Sequence, residues 1–301
     1  MMRNILIDTD IGIDCDDAMA IAAAIALEKQ EKIRILGISV CTARMGATSA
    51  VAAICNYYGK TADVGCYQGK KLACDERDVY DRALMEKYGE VDFKEESVRY
   101  LRRKLVEAEG KVTLVTIGPL TNIAALLLSK GDDISPLNGR ELVFEKVDAV
   151  YSMIGNFVHI NVGEPYGIPE WNVVQDIESC RIFVDKCPVE IVFSPYETGY
   201  AVLSGKTFTQ ADPVGYAIYR FFEENPYEFN GQYVRCSWDP ITVCEAAGEG
   251  LFSLSDYGTV KVDGEGVMSF KKGKGKHRYL IQKESTEVTA EKLEKIYSQV
   301  K

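Results

Sequence analysis

Residues Asn4–Leu27 read NILIDTDIGIDCDDAMAIAAAIAL. The apolar run Ile5–Ile7 predicts a buried strand, and the Ala/Ile-rich stretch Asp16–Lys29 predicts a helix. Between them lie five aspartates within ten residues: Asp8, Asp10, Asp14, Asp16 and Asp17. Acids favour a helix N-terminus through its dipole and as caps, which accounts for one or two of the five. It does not account for Asp8 and Asp10 leaving the strand beside three more. Like charges so close together repel unless a cation sits among them. There is no histidine nearby and Cys15 stands alone, so hard carboxylate oxygens point to calcium or magnesium rather than zinc.

Working outward, the same alternation continues. Ile33–Val40, Val112–Ile117, Lys146–Met153 and Val189–Phe193 read as strands, and Ala47–Tyr58, Thr121–Leu128 and Ile177–Lys186 as helices. Gly59 stands where a helix-ending glycine belongs, and Thr121 is expected to cap its helix. Strand–helix alternation predicts an α/β fold with an open, mostly parallel, Rossmann-like sheet flanked by helices. After Pro195 the texture changes. An aromatic-rich helix is expected over Pro213–Glu224 and another from Ile241, with antiparallel strands from Tyr257 to Gln282 and a capped helix over Thr289–Gln299. These make a small C-terminal hairpin and helix extension. No linker or repeat divides the chain, so a single domain over residues 1–301 is expected. The run Lys271, Lys272, Lys274, Lys276 and Arg278 reads as a solvated hairpin turn carrying an exposed His277.

Composition sets the outer limits. With 301 residues, 47% hydrophobic and 27% charged, the chain is neither disordered nor fibrous. Its 45 acids against 35 bases give a net charge of −10, which disfavours gripping nucleic-acid phosphates. The uncharged apolar stretch Ala18–Leu27 is ten residues long, against the ~20 of a spanning helix. Acids arrive in MMRNILIDTD before a signal peptide's hydrophobic region can form, so a cytoplasmic protein is expected, off the membrane. Nine cysteines, an odd number with no CxxC pair, read as reduced thiols.

Two metal-site readings compete for the acidic string. An EF-hand loop counted from Asp8 puts Gly12 and Met19 at ligand positions and fails. A haloacid-dehalogenase-like, magnesium-dependent phosphatase with Asp8 as nucleophile also opens on an apolar strand and Asp-x-Asp. It wants Thr or Val where Gly12 stands, and a second acidic pair that is missing. The chain more closely resembles the nucleoside hydrolase family. Asp8-x-Asp10-x-Gly12 followed by Asp16-Asp17-Ala18 is similar to its first signature, and VTLVTIGPLTNIAAL to its second. PEWNVVQDIES resembles its Glu-aromatic-Asn segment, and SWDPITV its closing Asp-Pro. The four occur in the family's order over Ile5–Val243.

The resemblance implies the nucleoside hydrolase fold and calcium-dependent cleavage of the N-glycosidic bond of a ribonucleoside or related N-riboside, in a homodimer or homotetramer. It implies calcium held by Asp10, Asp17, Asp239 and the main-chain oxygen of Ile117, with Asp10 as the general base. Asp16 would bind a ribose hydroxyl, Glu170 and Asn172 the far side of the sugar, and Met153 would pack under the ring. Asn161 or Asn156 would supply a further amide. Asp239, as Asp-Pro before a helix, also reads as an N-cap. Asp8 and Asp14 receive no role.

The chain departs from the family pattern in three places. Asp14-Cys15 lengthen the acidic loop and Ile11 stands where proline is common, the mark of a variant subgroup. Trp238 replaces a histidine that would protonate the leaving base; it can stack on a purine but cannot usefully donate a ring proton. Arg44 replaces an asparagine after the second strand. With the usual acid gone, His159 becomes a candidate contact for the base. Tyr227 and Tyr233, with Phe222 and Phe229, become a candidate lid. A non-catalytic calcium- and ribose-binding protein is the non-enzymatic alternative.

Overall fold

A computed structural model describes residues 2–77, 79–157, 168–229 and 231–301. The chain opens on β1 (Arg3–Thr9), α1 (Asp16–Lys29), β2 (Ile33–Val40), α2 (Ala47–Tyr57) and a two-residue β3 (Val64–Gly65). Two helices, α3 (Asp81–Tyr88) and α4 (Ser97–Glu107), lead to β4 (Val112–Ile117), α5 (Thr121–Leu128), α6 (Gly139–Lys146) and β5 (Val147–Ser152). Next come α7 (Trp171–Gln175), α8 (Ile177–Lys186), β6 (Glu190–Phe193) and α9 (Tyr196–Gly199). The last third runs β7 (Leu203–Ser204), α10 (Pro213–Glu224), β8 (Arg235–Cys236), α11 (Trp238–Ala247), β9 (Phe252–Leu254), β10 (Gly258–Val262), β11 (Met268–Lys272), β12 (Arg278–Gln282) and α12 (Thr286–Tyr297).

Eight strands form one sheet in the order β3-β2-β1-β4-β5-β6-β12-β9, parallel throughout except for the β12–β9 pair. The expected mostly parallel α/β sheet is therefore present. Successive residues of a strand face opposite ways. Ile5 and Ile7 of β1 accordingly join one core, under α1, α2, α10, α11 and α12, while Leu6 joins the other, under α4, α5, α6 and α8. The chain runs outward from β1 in both directions, so the order reverses between β1 and β4. The carboxyl ends of strands flanking such a switch point are where an open α/β sheet leaves a crevice. Asp10 follows β1 there, and Ile117 ends β4.

Local details differ from the sequence expectations where tertiary contacts override local signals. Thr121 is the first residue of α5 rather than its cap, and its hydroxyl donates to the Cys41 carbonyl at 3.1 Å. The helix expected from Ile241 begins at Trp238, so Asp239 lies in its first turn and Ser237 takes the cap position. The last helix starts at Thr286, capped by the Ser285 hydroxyl. In the C-terminal extension β10 and β11 form the expected antiparallel hairpin, but β12 joins the main sheet parallel to β6. That pairing buries His277, which was expected to be exposed. Its Nδ1 accepts the Ile191 N–H at 3.0 Å.

All nine cysteines are free thiols. No helix among the described residues is long and apolar enough to cross a membrane.

Candidate active site

The crevice at the switch point is a cavity of about 450 Å³. Its floor is acidic. Asp10 follows β1 directly, Asp14 lies in the turn beyond it, and Asp16 and Asp17 start α1; α11 brings Asp239 from more than 200 residues downstream. Carboxylate oxygens of Asp16, Asp17 and Asp239 lie within 4.8 Å of one another, all three residues buried. The Asp239 N–H donates to Asp16 Oδ2 at 3.1 Å, and the Thr9 hydroxyl donates to Asp17 Oδ1. Asp10 and Ile117 line the same floor. Gly118 makes that approach possible, because a Cβ there would stand 2.7 Å from Asp10 Oδ1.

These carboxylates are out of water and face one another. Burial pushes Asp10 up to about 7; the charge of Asp14 adds to this and that of Arg44 opposes it. Burial, then neighbouring negative charge, holds Asp16, Asp17 and Asp239 well above the ordinary carboxylate range. A cation among them would reverse both effects. The donor set is all hard oxygen, which fits calcium or magnesium.

One wall comes from the residue after β5, Met153, and from the start of α7. Glu170 caps α7, its carboxylate accepting the Asn172 N–H at 2.9 Å and the Val173 N–H at 3.4 Å. Burial raises Glu170 to about 8, with those N–H groups pulling the other way. Asn172 Nδ2 donates to the Met153 carbonyl at 3.0 Å, locking the wall to the end of β5. The opposite wall is aromatic: Tyr196, Tyr200, Phe221 and Trp238. Trp238 stacks on Tyr196 at 5.4 Å between centroids, and its indole N–H donates to the Tyr196 carbonyl at 2.7 Å.

The structure thus brings Asp10, Asp16, Asp17, Ile117, Met153, Glu170, Asn172, Trp238 and Asp239 to one cavity. It does not bring Tyr227 or Tyr233. Tyr227 is 95% exposed, and Tyr233 packs with Phe222 and Phe229 in a cluster outside the cavity. Asn156 is not among the lining residues either, and His159 and Asn161 lie outside the described residues. Asp8 is 2% exposed and does not line the cavity; it accepts from Ser39 Oγ and Asn122 Nδ2. As a phosphatase nucleophile it would have no access to substrate. Sequence reasoning missed Tyr196, Tyr200, Phe221, Arg77 and Arg235. Phe221 adjoins a residue that was considered, and Arg235 stands three residues before Trp238; neither carried a motif of its own.

A carboxylate nest at a parallel-sheet switch point thus faces an aromatic wall. The chain belongs to the inosine-uridine preferring nucleoside hydrolase family, whose model matches residues 5–295. Over 137 residues it is 32% identical to the non-specific ribonucleoside hydrolase RihC of Klebsiella pneumoniae (strain 342). That match covers 42% of this chain and 44% of the relative, so it spans less than half of the curated protein's length. A plant nucleoside hydrolase, the PpNRh1 enzyme, superposes with a TM-score of 0.75 at 22% identity, over 99% of each chain. The inosine-uridine preferring nucleoside hydrolase of Bacillus anthracis gives 0.68 at 17%, over 99% of this chain and 100% of that one. At these identities the two structures speak for the shared fold.

Proposed function

We propose that the protein is a calcium-dependent N-ribohydrolase, cleaving a ribonucleoside or related N-riboside into free base and ribose. The observation that carries this reading is the single cavity in which buried Asp10, Asp16, Asp17 and Asp239 face Glu170, Asn172 and an aromatic wall. Calcium would be held by Asp10, Asp17, Asp239 and the Ile117 carbonyl, and Asp16 is close enough to Asp17 and Asp239 to share in the site. When bound, the ion supplies a grip on the ribose hydroxyls and makes water a better acid.

The side chains do the rest. Asp10 accepts the proton of the attacking water, because its carboxylate lines the cavity floor beside the residues that would hold the ion. Glu170 and Asn172 orient the sugar, and Met153 packs beneath it. Positive charge builds on the ribose ring as the C1′–N bond stretches, and the ring of carboxylates stabilises it. The nine free thiols suit a reducing compartment, and we place the enzyme in the cytoplasm as a single-domain homodimer or homotetramer.

The test is a panel of purine and pyrimidine ribonucleosides, with and without chelator, assayed for reducing sugar. Chelator-sensitive release of ribose is expected. No release, with thermal stabilisation by ribose, would replace the hydrolase by a binding protein.

A further inference from the structure

Arg235 enters the cavity from β8, beside the aromatic wall. Its guanidinium lies 4.6 Å from the centre of the Phe221 ring and 5.4 Å from that of Trp238. Asp14 accepts from Nε at 2.9 and 3.1 Å and from Nη2 at 2.6 Å, and Glu228 accepts from Nη1. A guanidinium carries five N–H groups. Three are used in this way. One on each terminal nitrogen has no partner among the described residues, and the side chain lines the cavity.

Other charged donors at this wall are few, the Tyr196 and Tyr200 hydroxyls being neutral. No histidine among the described residues lines the cavity, and the Trp238 N–H is taken by the Tyr196 carbonyl. Arg77, the other lining cation, is exposed and donates to Asn225 Oδ1 at 3.1 Å. The departing base of an N-riboside takes on negative charge and meets its electrostatic partner only if a donor waits at the aromatic end.

We propose that Arg235 is that partner: its two free N–H groups donate to acceptor atoms of the departing base as the C1′–N bond breaks. The inference rests on the N-ribohydrolase reading. Water oxygen bonds to C1′, the C1′–N electron pair stays on the base nitrogen, and the water proton passes to Asp10. The base later regains a proton from solvent, while the guanidinium stays charged throughout. Asp14, from the lengthened acidic loop, is a positioning residue that fixes the fork.

Leaving-group chemistry separates this role from that of a structural latch. A purine leaves poorly without help, whereas 4-nitrophenolate leaves unaided. In the calcium-loaded enzyme, Arg235→Gln should lose about 10²-fold in kcat/KM on a purine riboside. On 4-nitrophenyl riboside it should lose at least about tenfold less. Equal losses on the two substrates, or none on either, would overturn the assignment. Arg235→Lys keeps the charge but not the fork, and carries the same contrast should the glutamine variant fail to fold. Asp14→Asn, which leaves Arg235 in place, should show it in weaker form. A wild-type enzyme that cleaves neither riboside would overturn the hydrolase reading instead.

Discussion

Arg44 and Asp81 form a buried ion pair at 2.5 Å, and the same guanidinium donates to the Gly12 carbonyl at 3.3 Å. Gly12 sits between Asp10 and the Asp16-Asp17 pair, so this clasp holds the turn that sets the two halves of the carboxylate floor against each other. The turn has no room for a side chain. Gly12 has φ +126°, and a Cβ there would lie 2.8 Å from Arg44 Nε and from Asp81 Cβ. Arg44 does not line the cavity. Where it replaces the family's asparagine, it works on the loop rather than on the substrate.

Breaking the clasp from one side strands a charge. Asp81→Asn should cost about 3–5 kcal/mol in urea unfolding, as uncompensated buried charges do. The double variant Arg44→Met/Asp81→Leu should cost clearly less than the sum of its singles. Additive losses would show that the pair is not coupled.

Asp10→Asn removes the proposed proton acceptor and keeps the shape. A fall in kcat of about 10²–10⁴-fold is expected, with ribose-analogue binding by calorimetry largely retained. Full activity would rule out Asp10 as the base.

Chelation should leave the acids repelling one another. The chelated protein should melt at lower temperature, and calcium at about 100-fold over its Kd should restore about 3 kcal/mol. Asp239→Asn should lose the calcium response, yet melt no lower than chelated wild type, because it removes one buried like charge. A calcium response that survives Asp239→Asn would place the ion elsewhere.

His277 makes stability depend on acid far from the cavity. Burial, with the charge of Lys276 adding, pushes its imidazole down to about 4. The unfolded chain, near 6.5, then binds the extra proton between these values. Native stability should therefore fall as pH drops from 6.5 towards 4, by up to about 3 kcal/mol. The difference in unfolding free energy between wild type and His277→Gln should shrink over that window; a flat difference would show that the imidazole titrates normally.

Much of the fold was legible because parallel strands buried on both faces are continuous apolar runs. Ile33–Val40 and Val112–Ile117 appear with those bounds in both the sequence reading and the structure. The acids were legible because five like charges within ten residues have no cheap structural explanation. What escaped depends on pairing at long range. Nothing near Arg278 signals that β12 will lie beside β6, so the burial of His277 could not be read locally. Trp238 was expected to face the base, yet one of its contacts is already a stack on Tyr196, more than 40 residues earlier. Arg235 carries no motif, and only the fold sets Asp14 and Glu228 around it.

Helix α1 is packed by β2, α2, α10, α11 and α12, and is buried from Asp16 to Leu27. The helix that brings Asp16 and Asp17 to the cavity is thus the core's central beam rather than an appendage to it. Random mutagenesis should therefore find few substitutions between Ala18 and Leu27 that alter turnover without altering expression. Engineering a new specificity would have to begin at the aromatic wall and leave the beam alone.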